Sequence, residues 1–127
     1  MGTTKCILVI DDEEDIRAVA QMGLEVVANW RVLTASSGDE GIAKAKAEQP
    51  DAILLDVMMP DMDGPTTFRK LQDDPPTHSI PVLLLTAKVQ SVDRRQFADL
   101  GVKGVIAKPF DPLTLSEEMI RILGWSS

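Results

Sequence analysis

Four runs of continuous apolar residues, each only four or five long, constrain this chain more than any other feature. They are Cys6-Ile-Leu-Val-Ile10, Ala52-Ile-Leu-Leu55, Val82-Leu-Leu-Leu85 and Gly104-Val-Ile-Ala107. Each is short for a buried helix and lacks the polar alternation of a half-exposed strand, so each reads as a strand covered on both faces. Arg31 to Ala35 is a fifth, more mixed strand candidate. Amphipathic stretches lie between them. Ile16, Val19, Ala20, Leu24, Val27 and Ala28 recur mainly at spacings of three and four, which marks one face of a helix. Ser37-Gly38 opens an Ala-rich helix through Ala47, ended before Pro50. Pro60 to Pro65 reads as a loop, Phe68 and Leu71 mark a third helix, and the Pro-rich stretch Asp73 to Ser79 ends it. A fourth helix runs through Phe97 and Leu100 and stops at Gly101. Asp111-Pro112 starts the last one as cap and first-turn proline, with Leu115, Met119, Ile122 and Leu123 as its apolar face.

Strands alternating with helices imply an α/β fold. The expected architecture is a doubly wound, five-stranded parallel sheet with right-handed crossovers and five helices on its two faces. The 127 residues suit one domain, 1–127, which at this size buries roughly two-thirds of its unfolded surface. No repeat or linker divides the chain, and the last helix ends near Gly124, so no output domain is expected in it. The net charge of −7 and pI of about 4.6 argue against direct nucleic-acid binding and against docking on anionic membrane. They fit a chain that gathers divalent cations or meets basic partner surfaces. Cys6 is the only cysteine, which excludes an internal disulfide and fits the cytoplasm. No apolar run approaches the length of a membrane span.

In sheets of this kind ligands sit beyond the carboxyl ends of the strands. The residues expected there are Asp11-Asp12, Asp56, Thr86 and Lys108, at the ends of strands one, three, four and five. Topology alone thus brings three carboxylates, a hydroxyl and an ammonium to one edge. Close carboxylates repel, and a hard divalent cation relieves that repulsion. Mg²⁺ suits one or two carboxylates together with waters and phosphate oxygens. Lys108 offsets part of the charge and can hold a phosphate. A carboxylate in such a place can be a nucleophile that forms an aspartyl-phosphate.

With these residues in place, the chain resembles the receiver domain of a two-component response regulator over essentially its whole length. The resemblance rests on Ile10-Asp11-Asp12-Glu13, Leu55-Asp56-Val57-Met58-Met59-Pro60-Asp61-Met62-Asp63-Gly64, Leu85-Thr86-Ala87 and Lys108-Pro109-Phe110, in this order and at these strand ends. It implies a flavodoxin-like strand order 2-1-3-4-5. It implies Asp56 as phosphoacceptor, a Mg²⁺ pocket formed by Asp11, Asp12, Asp56 and the backbone carbonyl of Met58, and Asp12 as the more direct of the paired acids. Thr86 would donate its hydroxyl to a phosphoryl oxygen, Lys108 would pair with the phosphoryl group, and the Lys108-Pro109 bond would be cis. The implied donor is a phosphohistidine on a sensor histidine kinase or a phosphotransfer protein, and the implied output is a switched surface for a downstream protein target. Pairing of two copies through the fourth helix, fifth strand and fifth helix is a habit of the family that this sequence leaves open. One departure is Val105, three residues before Lys108, where the family often has an aromatic ring; the chain contains no tyrosine. Met58 and Lys88 stand at rim positions that would set the phosphoryl lifetime.

Plainer readings stand beside these. Asp11-Asp12 alone could be a turn and helix cap, Thr86 a structural hydroxyl, and Lys108 an ion-pair partner. Cys6 reads as inert core, His78 as a loop residue, the methionines as packing or rim, and Arg94 and Arg95 as a solvated face. Two rival functions remain open. A phosphohydrolase with an aspartyl nucleophile would, in one large class, carry a second aspartate two residues on, where this chain has Met58. A receiver-like scaffold would bind a partner without phosphorylation. A nucleotide-binding fold is disfavoured, since no Gly-rich loop follows the first strand.

Overall fold

The structure is a computed structural model that describes residues 4–87 and 99–125. Its strands are β1 (Cys6–Ile10), β2 (Arg31–Ala35), β3 (Ala52–Asp56), β4 (Val82–Thr86) and β5 (Gly104–Ala107). Its helices, among the described residues, are α1 (Glu14–Ala28), α2 (Gly38–Glu48), α3 (Gly64–Asp73) and α4 (Leu115–Leu123). All strand pairs are parallel and the sheet order is β2-β1-β3-β4-β5, as expected. The helix expected through Phe97 lies largely outside the described residues, so four of the five expected helices are seen. Gly101, its expected stop, has φ +102°, a conformation that favours glycine.

Both sheet faces are covered, which is why the strands carry no polar alternation. Leu8, Ile10, Ile53, Leu55 and Leu84 point to one face, where they meet Ala45 of α2 and Phe68 and Leu71 of α3. Ile7, Val9, Leu54, Leu83 and Leu85 point to the other, against Ala20 and Leu24 of α1 and Leu115 and Met119 of α4. Successive residues of one strand thus serve two separate cores, the period-two geometry of extended chain.

Two helix starts differ from expectation. Pro65 lies inside the first turn of α3, which Asp63 caps by accepting from Thr66 N at 2.8 Å, so the loop is shorter than Pro60 to Pro65. At the other end, α4 begins at Leu115, not at Pro112. Asp111 Oδ1 accepts from Leu113 N at 2.9 Å, and this closes a separate turn ahead of the helix. The Lys108-Pro109 bond is cis.

Candidate functional site

The carboxyl ends of β1, β3, β4 and β5 lie on one edge of the sheet because every strand runs the same way. Asp11 follows β1 directly, and its amide donates to Ala35 O, at the end of β2, at 3.1 Å. The residue is fully buried, and its Oδ1 accepts from Glu13 N at 2.9 Å, which turns the chain into α1. Its main-chain carbonyl accepts from Arg17 Nη1 at 2.7 Å. Asp12, one residue on, is exposed.

Asp56 is the last residue of β3 and is 2% exposed. The chain beyond it is held by Val57 N donating to Leu85 O at 3.1 Å and by Gly64 N donating to Val57 O at 2.9 Å. Gly64 is required here. A Cβ on it would stand 2.6 Å from Asp56 O and 2.8 Å from Val57 Cα, so only glycine lets α3 start against this loop. Met58 lies in the loop with its side chain 66% exposed at the rim. Thr86 ends β4 and is buried; its carbonyl accepts from Lys108 N at 2.9 Å, which ties the lysine to the β4 end.

Lys108 Nζ lies 2.9 Å from Asp56 Oδ1 and 2.7 Å from Asp11 Oδ2. The first contact is a directed hydrogen bond. The second is an ion pair, and apart from this shared ammonium no donor among the described residues reaches the buried Asp11 Oδ2. Asp11, Asp12 and Asp56 each offer an oxygen within 4.8 Å of the others. Burial pushes the Asp56 carboxyl up to about 6, helped by the Asp11 charge and opposed by the bonds from Lys108 and Met58 N. Burial pulls the Lys108 ammonium down, but its contacts with Asp11 and Asp56 outweigh that and leave it above the usual lysine value.

One ammonium thus faces three acids. A buried carboxylate oxygen whose ammonium partner is shared with Asp56, inside a set of hard carboxylate donors, fits a hard divalent cation. The expected residues Asp11, Asp12, Asp56 and Lys108 do converge, with Thr86 at the neighbouring strand end. Lys88, Arg94 and Arg95 lie outside the described residues. His78 is exposed in its loop, and Cys6 is half-buried with its thiol pushed up by burial, which keeps it protonated. Sequence reasoning gave no role to Arg17 or to the glycine at 64. The signals were a cation six residues beyond Asp11 and a glycine directly after a capping aspartate.

Comparison with known proteins agrees with this geometry. Residues 7–120 match the family model of the response regulator receiver domain. The alkaline phosphatase synthesis transcriptional regulatory protein PhoP of Bacillus subtilis is 40% identical over 119 residues, covering 94% of this chain and 48% of that protein. Response regulator PleD of Caulobacter vibrioides is 45% identical over 111 residues, covering 86% of this chain and 24% of that protein. The chain therefore spans half or less of the length of these relatives. Among solved structures, chemotaxis protein CheY4 of Vibrio cholerae superposes with a TM-score of 0.87 at 30% identity, covering 94% of this chain and 99% of that one.

Proposed function

The chain belongs to the response regulator receiver domain family, and from that premise we propose that residues 1–127 form one receiver domain phosphorylated on Asp56. Phosphorylation on aspartate is the general function of this family. The observation that carries the assignment is the pairing of a buried Asp56 carboxylate with Lys108 at 2.9 Å, inside the acidic corner of Asp11 and Asp12.

In the proposed step a carboxylate oxygen of Asp56 attacks the phosphorus of a donor phosphohistidine. The P–N bond breaks, its electron pair leaves with the imidazole, and an acyl phosphate forms. Lys108 then pairs with the phosphoryl oxygens. Thr86, at the adjacent strand end, donates its hydroxyl to one of them. Asp11, Asp12, Asp56 and the Met58 carbonyl would hold Mg²⁺, which when bound supplies positive charge for the transferring group. The donor we propose is a sensor histidine kinase or phosphotransfer protein, and the receiver of the signal is a protein target. Where the domain is part of a longer protein, as in relatives named transcriptional regulators, an attached output domain would read the switch. The acidic balance supports protein partners for this domain, with no direct role for it on nucleic acid or membrane. Among the described residues no helix is long and apolar enough to cross a membrane. The single cysteine supports a cytoplasmic setting. A groove of about 450 Å³ beside β5 and α4, lined by Val102, Lys103, Val105, Glu118 and Arg121, supports an interaction surface there, including pairing of two copies.

The domain is not proposed as a turnover enzyme, because the position two after Asp56 is Met58, which cannot act as an acid. Mixing with a phosphohistidine donor should give at most one phosphoryl group per chain, lost in Asp56→Ala. Continuous phosphate release from generic phosphomonoesters would favour the phosphohydrolase instead. Partner binding indifferent to Asp56→Ala would favour the scaffold.

A further inference from the structure

The Asp11–Asp12 peptide plane sits at a point where the sheet no longer holds it. The β1–β2 and β1–β3 ladders both end at Ile10, paired with Ala35 and Leu55. Asp11 N still reaches Ala35 O, but the Asp11 carbonyl lies beyond the last paired residues, and the residue is fully buried. A buried carbonyl needs a donor. Arg17 Nη1 supplies it at 2.7 Å, a charge-assisted bond from a half-buried side chain. Arg17 is itself fixed by α1, its amide donating to Glu13 O at 3.2 Å. The peptide unit is rigid and planar, so pinning its carbonyl orients both α-carbons attached to it. One of these carries the Asp11 carboxylate and the other the Asp12 carboxylate.

We infer that Arg17 is a positioning residue for the metal corner, holding the Asp11–Asp12 peptide so that both carboxylates face the cation. The inference rests on the metal site proposed above. It has an unusual sign. If Arg17 mattered only as a charge near the acids, it would repel a divalent cation, and its removal would tighten Mg²⁺ binding. If it positions the acids, removal weakens Mg²⁺ binding in spite of the lost repulsion.

The test is calorimetric titration of Mg²⁺ into wild type, Arg17→Met, Arg17→Gln and Arg17→Lys, with urea unfolding to establish that each is folded. Loss of an outer support of metal ligands typically weakens affinity by about tenfold to a hundredfold. Arg17→Met is expected to show at least the lower figure. Arg17→Lys, which keeps a cationic donor, should recover most of the affinity. In acetyl phosphate labelling the Mg²⁺ concentration for half-maximal rate should rise in Arg17→Met, while the rate at saturating Mg²⁺ stays near wild type. If Arg17→Met does not fold, Arg17→Gln, which keeps a neutral donor of shorter reach, carries the comparison. Mg²⁺ binding as tight as or tighter than wild type in the folded variants overturns the inference and leaves the metal site standing. Wild type that takes up no Mg²⁺ overturns both.

Discussion

Replacing Asp56 with asparagine should stabilise the metal-free protein, and only above acidic pH. Asp56 titrates at about 6 in the fold, against 3.8 for an ordinary aspartate. Each pH unit of difference corresponds to about 1.4 kcal/mol. Ionising Asp56 in the fold therefore costs about 3 kcal/mol, an order-of-magnitude figure for a residue only 2% exposed. The sign follows from proton uptake. Between about pH 4 and 6 the native state binds more protons at this site than the unfolded chain does, so stability falls as pH rises through that window. Below it the cost is absent, and above it the cost is complete. The substituted asparagine cannot ionise, yet its amide oxygen can still accept from Lys108. Guanidinium unfolding in the presence of a chelator should find Asp56→Asn more stable than wild type by about 2–3 kcal/mol at pH 7.5, with the gap closing near pH 4. Adding Mg²⁺ at about a hundred times its dissociation constant should return about 2.7 kcal/mol to the wild type and narrow the gap. A variant no more stable than wild type at pH 7.5, or a gap that persists unchanged at pH 4, would refute this reasoning.

Gly64→Ala should lose about 1–3 kcal/mol of stability, because its Cβ would stand 2.6 Å from Asp56 O, a backbone atom with little room to yield; thermal melting at neutral pH checks it. The same variant should label more slowly at Asp56, since the loop bearing the carboxylate must shift. Met58→Asn should shorten the life of the acyl phosphate, because an exposed apolar side chain at the rim is replaced by one that can hold water; decay of the purified phosphoprotein measures it, and an unchanged rate removes the idea.

The strands were legible because the sheet is covered on both faces. Ile7 and Val9 serve one core while Leu8 and Ile10 serve the other, so burial writes a continuous apolar run into the sequence. The site was legible for a related reason. In a parallel sheet all carboxyl ends share an edge, so Asp11, Asp56, Thr86 and Lys108 could be brought together without knowing any distance. Helix starts were harder to read, because aspartate uses the same local bonds in a turn as in a cap. Asp63 caps α3, whereas Asp111 closes a turn before α4. Arg17 offered only its spacing from Asp11, which does not by itself show a role, because a side chain bonded to a main-chain carbonyl depends on where the strand ladder ends, and that appears only in three dimensions.

Intact-mass measurement after incubation with acetyl phosphate, with peptide mapping of the product, puts the phosphoacceptor claim to its most direct test. With Mg²⁺, the wild type should gain one phosphoryl group located at Asp56. Chelation should abolish the gain, and Asp56→Ala should show none. A phosphoryl group on another residue, or no labelling of a folded wild-type protein with Mg²⁺ present, would contradict the account.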